Sequence, residues 1–335
     1  MTVRAPLPRR LPGASLLRSA WILPVLALAA LLPFLLESNF ILGVFTDCLI
    51  YCVLALAYDL SVGRVGTLSL ALPLFFGTGS YAAALLAAHF GVPFPVAVLF
   101  AVACAAILAV AIGIPALRLS HLTFGMATLG FALIGELIAN NWVQVTGGPD
   151  CVGNVSQMAL PSGFTLGLSE HGQEYYIFLG LAVAVGVAVR LLVSSRIGRA
   201  FVAVREDEPM SMSVGMNPRR YRLAAFVTSG AIAGLAGAFY AHYLTVVCPT
   251  NLDISYTVNL LVILFLGGTG GFWGIIAAAF VVTAIPELLQ VAPNVRLIAY
   301  GVVLLVGVSL MPSGAEGVVR RLVQMWRFRR TQHDA

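Results

Sequence analysis

The 335-residue chain is 60% hydrophobic and only 10% charged, with a formal net charge of +5 and a mean hydropathy of +0.96. Soluble domains carry about 25% charged residues, so this balance excludes an ordinary soluble enzyme and points to α-helices that cross a membrane. All 19 basic residues are arginine; with no lysine the chain has no P-loop and no Schiff-base chemistry, and any ATP it uses must be bound by another polypeptide.

Residues 1–20 carry Arg4, Arg9, Arg10 and Arg18 ahead of the apolar run Trp21–Leu36. No small-x-small cleavage site follows at Glu37-Ser38-Asn39-Phe40, so the run reads as a retained first span behind a basic cytoplasmic tail. Further spans are expected at Ile41–Val62, Leu72–Phe90, Pro93–Ile114, Phe124–Val143, Glu174–Val193 and Leu223–Leu244. Tyr256–Leu266, Gly274–Leu289 and Leu297–Met311 complete the set, the first of these short for a full crossing. The expected fold is therefore an all-α polytopic transmembrane bundle of about ten spans, eight or nine being the alternatives, over residues 21–312. A basic tail, 313–335, follows it.

Ten spans with the N-terminus inside place both termini on the cytoplasmic side. Arg296 is then the only arginine in an outer loop, a strong positive-inside pattern. The largest outer loop, 144–173, is rich in glycine and proline and reads as a periplasmic cap. The C-terminal Arg320, Arg321, Trp326, Phe328, Arg329 and Arg330 suit anionic membrane lipid, or simply enforce topology. Cys48, Cys52 and Cys104 fall in apolar runs as packing residues. Cys151 and Cys248 both fall in outer loops, where an oxidising compartment permits a disulfide; two free thiols are the alternative.

The longest charged stretch between apolar blocks is Ser194–Arg222, with the loop proper at 195–222. Arg196–Glu206 reads as a helix continuing the preceding span into the cytoplasm. Asp207 or Glu208 then caps a second, short helix that tolerates Pro209 in its first turn and stops at Gly215, before Asn217-Pro218. Met210, Met212 and Val214 give that helix an apolar side suited to another protein's groove. An inner loop that merely obeys the charge rule is the plainer account. The docking set is Arg199, Arg205, Glu206, Asp207, Glu208, Met210, Met212, Gly215 and Asn217.

GRAFVAVREDE followed by SVGMNPRRYRLAAFVTSGAIAGLAGAFYAHY closely resembles the coupling region and next span of the LivM-type permeases, membrane subunits of branched-chain amino acid ABC importers. The resemblance takes in Leu60–Leu86, Gly113–Phe131, Thr146–Gly148 and Leu261–Leu289, and so most of the chain. It implies a type II importer fold in a bacterial inner membrane and no cofactor or catalytic residue on this chain. It also implies two cytoplasmic ABC ATPase subunits that bind the ATP, a sister permease and a periplasmic substrate-binding protein. The resemblance departs at Ala71-Leu72, where family members commonly carry Gly-His, and at Pro209-Met210-Ser211, where small residues are usual. The first departure bears on cargo and the second on the partner ATPase.

Glycines flank the second inner loop at Gly63, Gly66, Gly77 and Gly79, and interrupt the chain again at Gly267, Gly268, Gly270, Gly271 and Gly274. Broken helices at membrane depth are tolerable only against protein or a watery cavity, and they often mark a transport path. With the polar residues of the spans they give a candidate path of Gly66, Thr67, Ser69, Thr128, Glu136, Asn140, Gly268 and Gly270. Gly230, Gly234 and Gly237 instead line one face of a span for close helix packing. Glu136 serves function and structural pairing equally well, whereas Asp59, near the inner end of its span, reads as structural. The five histidines have no metal-ligand spacing, and nothing suggests a nucleic-acid partner. Two rival functions stay open at this point: the same architecture carrying urea, short amides or another small polar solute, and an ion-coupled secondary transporter using Glu136 and Asp59.

Overall fold

In the computed structural model of the chain, which describes Pro33 and residues 39–153, 155–157 and 170–288, the apolar blocks are helices. α1 (Asn39–Tyr58) runs on through a π-helical turn (Asp59–Arg64), and α2 (Leu72–Phe90), α3 (Phe94–Ala116) and α4 (His121–Asn141) follow. After the outer connection come α5 (Glu170–Ser194), α6 (Arg196–Glu206), α7 (Glu208–Ser213) and α8 (Pro218–Leu244), then α9 (Ser255–Gly267) and α10 (Phe272–Leu288). Each span expected between residues 41 and 289 coincides with one of these helices. The expected spans Trp21–Leu36 and Leu297–Met311, and both basic tails, lie outside the described residues. Among the described residues five helical segments are long and apolar enough to cross a membrane, including α1 with its π turn and the 27-residue α8; α9 and α10 are apolar but shorter.

Local punctuation explains where the helices end. Pro73 occupies the first turn of α2, and Gly91, at φ +56°, ends it with its N–H on the Ala87 carbonyl. Extended Pro93 opens α3, and Pro218 is the first residue of α8, where its missing N–H costs nothing.

α8 is the central post of one half, packed along α2 and α3. Small residues make the approach close: an added Cβ on Gly230 would meet Ala109 and Phe75, on Gly234 it would strike Ala105, and on Gly237 the Phe76 carbonyl and Ser80. The Ser80 hydroxyl crosses the same seam, 3.0 Å from the Gly237 carbonyl. Phe226 of α8 sets its ring edge-on to Phe75 and Phe124, with centroids 5.2 and 5.7 Å apart. In the other half α1 packs against α5 and α10, and α9 against α10. From Cys52 to Tyr58 every residue of α1 is buried, as an all-round apolar helix must be. α4 stands at the edge and leaves Leu122, Met126, Leu137 and Ile138 exposed, a surface suited to hydrocarbon rather than water.

Candidate functional site

The arginine-rich segment is a helical hairpin folded back against the bundle. The preceding span does not continue into it. Ser195 takes an extended conformation and its hydroxyl accepts from the amides of Ile197 (3.2 Å) and Gly198 (3.3 Å), starting α6 as a separate helix. Gly198 permits the sharp reversal, since a Cβ there would collide with the carbonyls of Leu192 and Val193. α6 turns Ala200, Phe201 and Val204 inward, and Phe201 closes a small apolar plug with Val65 and Ala225. Arg199 lies outside and donates to the Ser194 carbonyl at 3.0 Å.

Asp207 ends α6 and caps α7, its carboxylate accepting from the Met210 amide at 2.9 Å, with Pro209 in the first turn. Ser211 is buried beneath, its hydroxyl 3.0 Å from the Ala203 carbonyl, so α7 is pinned to α6. The chain leaves through Gly215 at φ +84°, and Asn217 takes the cap position of α8 without a side-chain bond to it. Met210, Met212 and Val214 are 67%, 53% and 71% exposed, which leaves the apolar side of the hairpin free. Glu206 is exposed as well.

Glu208 faces the bundle. It forms a two-pronged pair with Arg222 of α8, at 2.7 and 3.0 Å, and the same guanidinium lies 3.2 Å from Nε2 of His121 at the start of α4. These three side chains share the wall between two cavities of about 330 and 260 Å³. The first cavity reaches Gly66 and the second reaches Thr67, so both open beneath the stretch that joins α1 to α2.

That stretch, residues 65–71, has no helix of its own, and its polar groups are met from α1 with its π turn, from α4 and from α9. Thr67 bonds the Ser61 carbonyl through both its amide (3.1 Å) and its hydroxyl (2.9 Å). The Tyr58 hydroxyl donates to the Ser69 carbonyl at 2.9 Å, and Thr128 Oγ1 accepts from the Leu70 amide at 3.0 Å. The Ser69 hydroxyl accepts from the Ala71 amide, and Thr257 of α9 reaches the Leu70 carbonyl. Irregular backbone between spans survives only with such partners. Gly66, the second residue of the stretch, is at φ +79°, while Gly268 (+89°) and Gly270 (+83°) form a second break between α9 and α10.

The structure therefore gathers Gly66, Thr67, Ser69, Thr128, Gly268 and Gly270 around these two breaks. It sets Glu136 and Asn140 apart, on α4 toward the opposite end, where the Asn140 amide bonds the Glu136 carbonyl at 3.1 Å. At that opposite end Cys151 and Cys248 are joined by a disulfide across 97 residues, beside the antiparallel bridge Val152–Val247.

Sequence reasoning missed three residues at the hairpin end. Asp59, taken as structural, is buried between both breaks: its carboxylate accepts from Arg64 Nε at 2.9 Å and from the Gly270 amide at 2.8 Å. The signal was an acid and an arginine five apart at the end of an apolar span, with Gly63 and Gly66 flanking the arginine. Arg222 and His121 were counted only as charge or as a non-ligand, and nothing local marks their pairing with Glu208.

A family described as "Branched-chain amino acid transport system / permease component" matches residues 40–308. The high-affinity branched-chain amino acid transport system permease protein LivM of Escherichia coli (strain K12) is 30% identical over 329 residues, covering 90% of this chain and 76% of the relative. Its counterpart of the same description in Salmonella typhimurium (strain LT2) is 29% identical, with the same coverage. The solved structure "PsaBC from Streptococcus pneumoniae in complex with Fab" is 14% identical, with 81% of this chain and 92% of that chain covered; its TM-score of 0.43 is too low to carry an argument. Several apolar membrane-length helices and a family match over most of the length agree: the chain is a membrane protein and belongs to the family of branched-chain amino acid transport permease components.

Proposed function

We propose that this chain is the membrane-spanning subunit of an ATP-driven importer, carrying branched-chain or related amino acids across a bacterial inner membrane. It is no enzyme: two cytoplasmic ATPase subunits bind and hydrolyse the ATP, a sister permease completes the pathway, and a periplasmic binding protein delivers the small polar solute. The α6–α7 hairpin carries this reading. Its charged inner side is bonded to the spans through Glu208 and Arg222, and its methionine side is left free for a partner's groove. Closure of the ATPases displaces the hairpin, and the two helix breaks above it change the inner opening of the path. The arginine distribution supports an orientation with the hairpin in the cytoplasm and the disulfide in the oxidising compartment.

The test is reconstitution in proteoliposomes with its cognate ATPases, sister permease and binding protein. Labelled leucine, isoleucine or valine should accumulate only with ATP and all partners present. Accumulation by this chain alone under an ion gradient would overturn the proposal, and ATP-driven uptake of urea or acetamide in place of amino acids would reassign the cargo.

A further inference from the structure

The hairpin and the two helix breaks are joined by a closed ring of hydrogen bonds. Asp59 is the buried corner, with its side chain 1% exposed. Its Oδ2 holds Arg64, which keeps the π turn wound, and its Oδ1 holds the Gly270 amide in the turn between α9 and α10. The π turn closes tightly over that carboxylate, since a Cβ on Gly63 would collide with it and come within 3.2 Å of the Gly270 amide. From the other side Arg205, the next-to-last residue of α6, donates to the Gly63 carbonyl and to Thr269 Oγ1 (3.4 Å). Arg205 thus grips from the hairpin the same two breaks that Asp59 joins from within. Its aliphatic stem also lies over Gly66, where an added Cβ would come within 3.0 Å of its Cγ, so the ring touches the second residue of the non-helical stretch.

This geometry constrains motion. The apolar plug of Phe201, Val65 and Ala225 fixes where α6 rests but has no direction, whereas the fork of Arg205 ties α6 to one backbone carbonyl, of Gly63, and one side-chain hydroxyl, of Thr269. If α6 is displaced, either both Arg205 bonds break or the π turn and the glycine turn move with it. Those turns cannot separate without taking the Gly270 amide off a carboxylate sealed from water, which is costly. The cheaper course is for both breaks to move as one unit with the hairpin.

We propose that Arg205 and Asp59 are positioning residues of the transport cycle: Arg205 passes displacement of the hairpin to the two helix breaks, and Asp59 makes those breaks respond together. The idea rests on the ATP-driven reading above. It assigns Arg205 to the inside of the machine rather than to the surface a partner touches.

The experiment uses the full complex in proteoliposomes, with ATP hydrolysis and leucine uptake measured on the same preparation. Arg205→Ala and Thr269→Val both change exposed side chains, so the inserted, folded amount should match wild type. Arg205→Ala should keep binding-protein-stimulated hydrolysis while uptake per ATP falls about tenfold, a coupling loss of ordinary size. The leucine concentration for half-maximal uptake should not change. Thr269→Val should show a smaller loss of the same kind, and Arg205→Lys should recover part of it, because an ammonium keeps the charge but not the two-pronged reach. Asp59→Asn should lower uptake per ATP in the same way, and His89→Ala, at the far end of α2, should match wild type. An unchanged ratio of uptake to hydrolysis in Arg205→Ala overturns the proposal, as does a parallel fall of both with the folded amount. Wild type that accumulates leucine without ATP would instead sink the underlying reading.

Discussion

Removing the Glu208 carboxylate should free the hairpin without unfolding the bundle. Glu208 is the first residue of α7, and Arg222 lies one turn into α8, so their pair is the polar bond between the hairpin and the central post. Its strength can be bounded from the exposures. The side chain of Glu208 is 36% exposed and that of Arg222 only 12%. An ion pair fully in water contributes about 0–1 kcal/mol, and a single bond to a charged group about 1.5–3 kcal/mol. A two-pronged pair half out of water lies between, at about 2 kcal/mol, or roughly a thirtyfold change in how often the hairpin is docked. Glu208→Gln keeps one acceptor and should lose about half of this, whereas Glu208→Ala leaves Arg222 with only His121. The assay is a double-mutant cycle with Arg222→Gln, read as uptake per ATP in proteoliposomes and as amide exchange of α6 and α7. Exchange should quicken in the hairpin and stay unchanged in α8 beyond its first turns. Wild-type exchange and coupling in Glu208→Ala would refute the reasoning, and so would single-variant effects that add without interaction.

Three further outcomes follow from the same structure. Met210→Asp with Met212→Asp should move the unfolding midpoint of the isolated chain little, about 0.5 kcal/mol or less, because both side chains are exposed, yet should weaken co-purification with the partner ATPases. Gly237→Leu should cost about 3 kcal/mol or more and lower the thermal midpoint, since no side chain fits between α8 and the Phe76 carbonyl, while Gly180→Ala, with nothing within 4 Å, should be neutral or slightly stabilising. Under denaturing conditions the protein should take three maleimide mass tags before reduction and five after, because Cys48, Cys52 and Cys104 are free and Cys151 is bonded to Cys248; Cys248→Ser should lower stability by about 2–4 kcal/mol.

Hydropathy with proline and glycine punctuation located the spans closely where the punctuation lies at the helix ends. The expected span Leu72–Phe90 coincides with α2, whose ends Pro73 and Gly91 fix in the structure. It read poorly where charge and helix overlap. α8 starts at Pro218, not Leu223, since an apolar window discards the first turn that carries Arg219, Arg220 and Arg222. α1 runs two residues beyond Val62 because a π turn has no hydropathy signature. The hairpin's second cap and its glycine stop were legible as local backbone chemistry, but the break at Ser195 was read as continuous helix although a serine N-cap stood there. The pairings were illegible for another reason: Asp59 meets Gly270 across 211 residues, and Glu208 meets Arg222 only once α7 folds back on α8.

Where polar groups sit divides the molecule into a part that should hold still and a part that can switch. Along α2, α3 and α8 contact is made by glycines and alanines at backbone distance, and such a seam has one register, since sliding it by a residue puts side chains into carbonyls. The opposite end is stapled by the disulfide and its neighbouring bridge. At the hairpin end the connections are instead a few directional bonds, from Arg205, Arg222, Asp59 and Thr128, around backbone that is neither helix nor fully covered. The exposed bonds among these can be exchanged for others at little cost, whereas the buried Asp59–Gly270 bond holds the two breaks together and a close-packed seam can only be opened. A partner pushing on α7 therefore meets little resistance from the breaks and much from α8. Motion in the cycle should concentrate between Asp59 and Ala71 and between Gly268 and Gly271, with the α2–α3–α8 seam as the fixed frame.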